Sequence, residues 1–415
     1  MITGAQDELA QIIANETGKA LWDANSEVAA VIGKLAFAHE AYQERTGTKS
    51  RTSPTGNAVL RHRPHGVMAV YGPYNFPAHL PNGHIMPALL AGNAVVFKPS
   101  EQTPLVAEWM VKQWHEAGLP PGVVNLVQGE RETGMALSQA AINGILFTGS
   151  TATGKAIHQQ LGGRPEIMLA LEMGGNNPLI VSRVTDLKAA VLETLLSAFT
   201  SSGQRCTCAR RLILPEWPGR DEFIKQLQSS VKKLVVGAYD ETPAPFMGPV
   251  ISLREAKRLL NAQDQLEKLG GKVLVRMRLL RGGLPFVSPA IIDMTGINAV
   301  PDEEYFGPLL QLYRVKDIAE AIAVANATAF GLSAAILTDD AAVYQQVKAG
   351  LRVGIVNWNR QTTGASGAGP FGGVGISGNH RPAGYYSADY CSYPMASVEL
   401  EELKLPAQLP PGIAF

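Results

Sequence analysis

Cysteine is scarce: three residues in 415, an odd number, with Cys206 and Cys208 only two positions apart. That scarcity excludes the disulfide framework of a small secreted protein and points to a reducing compartment. A structural zinc site typically needs four ligands, and no second cysteine pair or histidine pair at suitable spacing accompanies Cys206 and Cys208, so no metal is expected. Net charge is missing too. Lys+Arg and Asp+Glu both number 36, so no overall field draws the chain to nucleic acid or to an anionic membrane. Long hydrophobic runs are also absent, because the apolar stretch from Ile85 to Phe97 is broken by Pro87, Gly92 and Asn93, which leaves nothing able to cross a bilayer. Met1 to Gly18 lacks the basic start and apolar core of a signal peptide. The expectation is a cytoplasmic protein with neither nucleic acid nor membrane as a partner.

What is present is a 46% hydrophobic chain with 42 glycines, too long for one small core, and so a globular protein of at least two domains. Apolar residues three and four apart predict helices over roughly Gln6 to Thr17 and Asn25 to Arg45, read as surface helices laid on a later core. From Gly66 onward, apolar runs at Gly66–Val70, Ala94–Phe97, Val123–Val127 and Gly144–Phe147 alternate with helical stretches, which predicts a parallel sheet. The helix Thr103 to Ala117 has the clearest limits, with Thr103 as N-cap, Pro104 in the first position and Gly118 past the end. A second alternating region from Pro178 places helices near Leu187–Ala198, Asp221–Lys233 and Ser252–Leu269, and a strand near Arg211–Leu214. Seven glycines in the fifteen positions Gly364 to Gly378 mean loop, and the tail from Tyr385 suggests a strand leading into an extended arm. The fold class expected is α/β.

Ser201-Ser202-Gly203-Gln204-Arg205-Cys206 lies between a predicted helix and a predicted strand, which puts the Cys206 thiol on a turn. A free thiol titrates near about 8.5, so activation needs a neighbouring cation, with Arg205 or a cofactor's positive ring as candidates; a buried, inert thiol is the commoner state of a lone cysteine. Glu172 ends an apolar run beside Gly174 and Gly175, a position where a carboxylate usually faces solvent. Gly149-Ser150-Thr151-Ala152-Thr153-Gly154 follows a strand and opens a helix, the placement that offers backbone N–H groups to a pyrophosphate, yet it lacks the middle glycine of the dinucleotide fingerprint.

Pro73-Tyr74-Asn75-Phe76-Pro77, Lys98-Pro99-Ser100-Glu101, Phe147-Thr148-Gly149-Ser150, Glu172-Met173-Gly174-Gly175, Gly203-Gln204-Arg205-Cys206 and Glu303-Glu304-Tyr305-Phe306-Gly307-Pro308 run in one order along nearly the whole chain. Together they resemble the aldehyde dehydrogenase superfamily. The resemblance implies a Rossmann-like cofactor domain, an α/β catalytic domain and a small oligomerisation arm. On this chain they fall at 1–174 (with a hairpin near 46–66 joining the arm), 175–384 and 385–415. It implies Cys206 as the nucleophile that forms a thiohemiacetal and then a thioester. Glu172 becomes the base for water, and the Asn75 amide with the Cys206 backbone N–H becomes the oxyanion site. It also implies NAD, contacted by Lys98, Glu101, Gly149, Ser150, Thr151, Ala152, Thr153, Gly154, Glu304 and Phe306. A carboxylate at Glu101 would accept ribose hydroxyls and repel a 2′-phosphate by about 4 kcal/mol at about 4 Å and an effective dielectric of about 20. The family's habit further implies a homodimer or homotetramer.

Pro370-Phe371-Gly372-Gly373-Val374-Gly375 departs from most of that superfamily, which has lysine where Gly375 stands. With Met173 to Asn177 and Tyr385 to Cys391, it resembles the branch that oxidises the 5-semialdehyde of N-succinylglutamate in bacterial arginine catabolism. Such a substrate carries two carboxylates besides its aldehyde and needs cations, for which Arg205, Arg360 and Arg381 are the candidates. Ser366, in a flexible loop, is either an anchor for the aldehyde's tail or part of a linker. The superfamily usually has a further segment ahead of the first helix, so a shortened chain with exposed apolar surface and weakened stability or cofactor affinity is expected. Two rivals stand beside this reading: a dehydrogenase for another semialdehyde, and an inactive truncated binding protein. A cysteine hydrolase would need a partnered histidine, and none of His62, His65, His79, His84, His115, His158 or His380 sits in a motif that demands one.

Overall fold

The computed structural model describes residues 1–53, 56–406 and 408–415. It opens with two helices, α1 (Gln6–Thr17) and α2 (Leu21–Arg45). α1 buries Leu9, Ala10, Ile13 and Ala14 as one stripe and ends where Gly18 takes φ +74 and donates its N–H to the Ala14 carbonyl. Both helices lie on the core with one face buried and the other exposed, as expected. α2 begins four residues earlier than its periodicity suggested, and its buried face carries Asp23, Glu27 and Lys34 among the apolar residues. Three ionisable groups on a core-facing stripe look, in sequence, like a polar helix face.

The chain then forms an antiparallel hairpin, β1 (Lys49–Ser53) and β2 (Gly56–Pro64). The turn of the hairpin expected near 46–66, at 54–55, lies outside the described residues. Next come β3 (Val67–Tyr71), α3 (His79–Leu90), β4 (Ala94–Lys98), α4 (Pro104–Glu116), β5 (Val124–Leu126), α5 (Arg131–Gln139), β6 (Gly144–Thr148), α6 (Thr151–Gln160) and β7 (Met168–Glu172). Their five strands pair in parallel in the order β5-β4-β3-β6-β7, so the chain reverses direction across the sheet between β3 and β6. In open parallel sheets, ligands bind beyond the carboxyl ends of the strands at such a reversal.

Thr103 is the N-cap of α4, but its hydroxyl makes no cap bond. The Glu16 carboxylate of α1 accepts the Leu105 and Val106 N–H groups instead, each at 2.8 Å. A carboxylate at a helix start meets both orphan donors and the helix dipole. α3 was not legible in sequence because Pro81 and Pro87 lie within it. Its first N–H groups, at Ala78 and His79, are met by Glu27 of α2 at 3.0 and 3.1 Å.

The second unit contains β8 (Asn177–Val181), α7 (Leu187–Phe199), β9 (Ala209–Leu214), α8 (Arg220–Val231), α9 (Leu253–Lys268), β10 (Lys272–Val275), β11 (Ala290–Asp293), β12 (Leu309–Arg314), α10 (Ile318–Asn326), β13 (Ser333–Leu337), α11 (Ala341–Gly350) and β14 (Ile355–Trp358). The sheet order is β10-β11-β12-β9-β8-β13-β14, parallel except for β10 against β11. Strands β8, β9 and β13 are buried along their whole length, as continuous apolar runs covered on both faces should be. β15 (Pro370–Phe371) and β16 (Ala383–Gly384) close a glycine-rich loop back onto the end of β7, where Gly378 bridges Glu172. After α12 (Ser387–Tyr390), β17 (Ser392–Glu399) pairs with β2 to complete a three-stranded sheet, β1-β2-β17. No helix among the described residues is long and apolar enough to cross a membrane.

Candidate active site

Two sheet edges meet at one cavity of about 410 Å³. At or just past the carboxyl ends of the five-stranded sheet stand Asn75 after β3, Lys98 at the end of β4, Thr148 and the segment 149–154 at β6, and Glu172 at β7, of which Thr148 and Glu172 line the cavity. Just ahead of the amino ends of the seven-stranded sheet stand Asn177 at β8, Cys206 before β9, and Glu304 with Phe306 before β12, of which Cys206 lines the cavity. Cys206 and Glu172, 34 positions apart in sequence, both line this cavity.

The Cys206 turn is held in an unusual backbone. Ser201 and Ser202 have φ of 53° and 55°, a left-handed state that costs about 1–3 kcal/mol for a non-glycine residue. Gly203 follows at φ +70, and a Cβ there would lie 2.2 Å from the Gly307 carbonyl oxygen. Surrounding bonds hold this shape. Ser201 Oγ donates to Asp23 at 2.5 Å and Ser202 Oγ to the Gly248 carbonyl at 2.7 Å. Arg210, wholly buried, donates to the carbonyls of Gly203 (2.7 Å), Gly307 (3.2 Å) and Arg205 (3.0 Å). Asn177 Nδ2 donates to the Cys206 and Cys208 carbonyls at 2.7 and 2.9 Å, while its Oδ1 accepts the Ser333 N–H at 3.0 Å. Sequence reading missed Asn177 and Arg210 as supports of this turn. The available signals were an arginine pair, Arg210-Arg211, in an apolar strand, and an asparagine opening another.

Burial pushes the Cys206 thiol up to about 12, with the Glu304 and Glu172 carboxylates adding to it and Arg210 opposing. Of the two cations expected to activate Cys206, Arg205 or a cofactor's positive ring, the first is engaged elsewhere. Arg205 Nη2 is paired with Asp23 at 2.6 Å, its Nε donates to Ser201, and its guanidinium lies 4.9 Å from the Phe76 ring centre. Asp23 is buried, yet Arg205 and Lys19 outweigh the burial and hold its carboxyl below the usual range.

Glu172 does not face solvent. Burial lifts its carboxyl well above the ordinary value, only partly offset by a hydrogen bond from the Ala383 backbone, and Oε2 has no partner. Asn75 is buried and donates through Nδ2 to the Gln204 carbonyl at 2.9 Å, which brings it against the Cys206 turn with one amide N–H to spare. Glu304 accepts the Gly175 N–H at 3.1 Å and stands 3.8 Å from Arg210; burial lifts its carboxyl to about 7 against the pull of Arg210. Gly174 permits that approach, since a Cβ there would sit 1.7 Å from the Glu304 carboxylate. The Phe306 ring packs edge-on to Tyr74.

The segment 149–154 fits a dinucleotide. Ser150 caps α6 by accepting the Thr153 N–H at 3.2 Å, and Thr151 Oγ1 at the same helix start is buried without a partner. A Cβ on Gly149 would strike Phe147 at 2.6 Å and one on Gly154 would strike Met173 at 2.3 Å, so both glycines draw the helix start tight against β6 and β7. Ala152 lies in the first turn of α6. Lys98 is buried along its stem, which lowers its ammonium, with Glu101 and Glu130 opposing; Glu101 itself is exposed.

Of the remaining candidates, Ser366 lines the cavity, while Arg360 and Arg381 are exposed residues outside its lining. Arg205, the third arginine proposed, does line it.

A thiol and a buried carboxyl in one cavity suit aldehyde oxidation, and the molecule is of that class, an oxidoreductase acting on aldehydes. More narrowly, the chain belongs to the aldehyde dehydrogenase family, whose model matches residues 1–395. It is 56% identical over 416 aligned positions to the N-succinylglutamate 5-semialdehyde dehydrogenase of Burkholderia vietnamiensis, covering 100% of this chain and 85% of that protein. Among solved structures, PnpE in complex with nicotinamide adenine dinucleotide superposes with a TM-score of 0.91 at 29% identity, over 97% of this chain and 84% of that one. The glyceraldehyde-3-phosphate dehydrogenase GapN of Methanocaldococcus jannaschii, complexed with NADP, does so with a TM-score of 0.87 at 29% identity, over 96% and 86%.

Proposed function

We propose that this chain oxidises N-succinyl-L-glutamate 5-semialdehyde to N-succinyl-L-glutamate with NAD, as a cytoplasmic step of arginine breakdown. The observation that carries the reading is the meeting of Cys206 and Glu172 in one cavity, supported by the 56% identity to a protein named for that reaction. Lys98, Glu101 and the segment 149–154 would hold the dinucleotide, with Glu304 and Phe306 at its nicotinamide end; an acid at Glu101 favours NAD over NADP by repelling a 2′-phosphate. When bound, the oxidised nicotinamide supplies a hydride acceptor and a positive charge that favours the Cys206 thiolate.

The Cys206 sulfur attacks the aldehyde carbon, and the oxyanion so formed takes hydrogen bonds from the Cys206 N–H and the Asn75 amide. Losing one such donor typically costs about 2.7–4 kcal/mol in the barrier. Oxidation leaves a thioester on Cys206. Water adds to its carbon, Glu172 takes the proton, the C–S bond breaks and the acid departs. A carboxyl raised by burial is a competent base nearer neutral pH than an ordinary glutamate, which titrates near about 4.3. The three-stranded sheet, with Val398 exposed on β17 and Leu400 just past its end, is the surface through which a homodimer or homotetramer would form.

The test is NADH production from N-succinylglutamate 5-semialdehyde beside Cys206→Ala. Steady turnover that the variant abolishes supports the reading. Equal turnover of the unsuccinylated semialdehyde, or bound NAD without NADH, overturns it.

A further inference from the structure

Removing Arg360 and Arg381 from the cavity leaves an anionic substrate short of cations. Among the described lining residues, the groups able to carry charge at neutral pH are few: Lys34, Arg205 and Glu172, besides histidines and Cys206. Arg205 is already matched by Asp23. Glu172 is held toward its neutral form by burial. Lys34 differs from both. Its residue is only 7% exposed, it lies on the inward face of α2, and its ammonium makes no hydrogen bond or ion pair among the described residues. It projects over α3 at Gly83, where a Cβ would lie 3.7 Å from Nζ. Beside it on α3, His79 Nδ1 is also buried without a partner. His79 and His84 both feel the Lys34 charge and, chiefly through burial, titrate at about 3, so each is neutral and neither competes for an anion as a cation.

An ammonium withdrawn from water without a counter-charge is costly, and burial accordingly lowers Lys34 to about 8. Lys19, on the same side of the molecule, shows the alternative, since it is equally buried but paired with Glu27 at 2.6 Å. The absence of such an acid beside Lys34, in the wall of the cavity that holds the nucleophile, has a chemical use.

We propose that Lys34 is a specificity-determining residue that binds a carboxylate of the substrate, from the α2–α3 wall of the cavity. The assignment deepens the reading above and rests on it for the naming of the substrate. The aldehyde end meets Cys206, a carboxylate at the far end meets Lys34, and the pair of contacts selects aldehydes that carry an acid. A structural lysine whose head is merely wetted by cavity water would make no such distinction.

The experiment compares Lys34→Met and Lys34→Arg with the parent chain on three aldehydes: N-succinylglutamate 5-semialdehyde, 5-oxopentanoate and uncharged butanal. In Lys34→Met the ratio of kcat/KM for either acid-bearing aldehyde to that for butanal falls about tenfold to a hundredfold, mostly through KM, as expected for one charge-assisted hydrogen bond, and Lys34→Arg recovers part of it. A ratio that stays within about twofold of the parent overturns the proposal. Calorimetric binding of N-succinylglutamate gives a readout independent of turnover: tenfold or weaker binding in Lys34→Met supports the assignment, and unchanged binding overturns it. Loss of an unpartnered buried charge should hold or raise the thermal midpoint; if Lys34→Met does not fold, Lys34→Gln replaces it in the same comparison. Should the parent oxidise 5-oxopentanoate but not the succinylated aldehyde, with the ratio still falling in Lys34→Met, the named substrate fails and Lys34 keeps its role.

Discussion

The two sheet edges that enclose the cavity are built differently. The edge of the seven-stranded sheet is pinned: Arg210 and Asn177 between them hold five carbonyls of the Cys206 turn and its neighbours, and Ser201, Ser202 and Gly203 are kept left-handed. The edge of the five-stranded sheet is open: Glu101 and Ser150 are exposed, and Thr151 Oγ1 has no partner. A nucleophile must be held within about 0.5 Å of its productive position, so a turn that carries one is best fixed before the substrate arrives. A site for a dissociable dinucleotide leaves its donors free until the dinucleotide fills them.

Four substitutions would break or sharpen this contrast. Glu172→Gln, at the join of the two edges, should slow steady turnover by about 10²–10⁴-fold while a single burst of NADH per active site persists, because acylation does not need a base for water. The working form of Glu172 is the carboxylate, populated above its raised pKa, so parent activity falls as pH drops through that value. Glu172→Gln loses this acid limb, which a pH–rate profile checks. Arg210→Met should lower kcat together with stability, by about 3 kcal/mol, since three carbonyls lose their donor and Glu304 loses its cation. Urea unfolding with kinetics on the same samples measures both; normal kcat in a destabilised protein would show that the pinned turn is not what catalysis uses. Asn177→Ala should cost about 2 kcal/mol and lower kcat with little change in KM for NAD. Smallest of the four, Glu101→Gln on the open edge should raise KM for NAD by at most about fivefold and narrow the preference over NADP, with unfolding unchanged.

Much of the scaffold could be read in one dimension. α1 was placed from Gln6 to Thr17 by its stripe, and β3, β4, β5 and β6 by apolar runs between helical stretches, because each pattern is a local consequence of one buried face. The order of the motifs placed Cys206 on a turn and Glu172 at a strand end. α3 escaped because its prolines argue against a helix when read locally, whereas Glu27 from α2 caps it across 51 positions. Arg205 was named for the substrate because two carboxylates call for cations; the residue that pairs with it, Asp23, is 182 positions away. Lys34 drew no notice among the 36 basic residues, for its environment comes from α3 and from loops far along the chain.

By itself, the sequence determined the alternation of strands and helices, the family, and which thiol and which carboxyl are the candidates for the chemistry, since these rest on periodicity and on side-chain identity in ordered motifs. Only the tertiary structure decided that Glu172 is withdrawn from water while Cys206 stays partly exposed on the cavity wall, that Arg205 is committed to Asp23, and that Lys34 faces the cavity unpaired. Burial and charge pairing depend on every group that folding brings within a few ångströms, and most of those neighbours are remote along the chain.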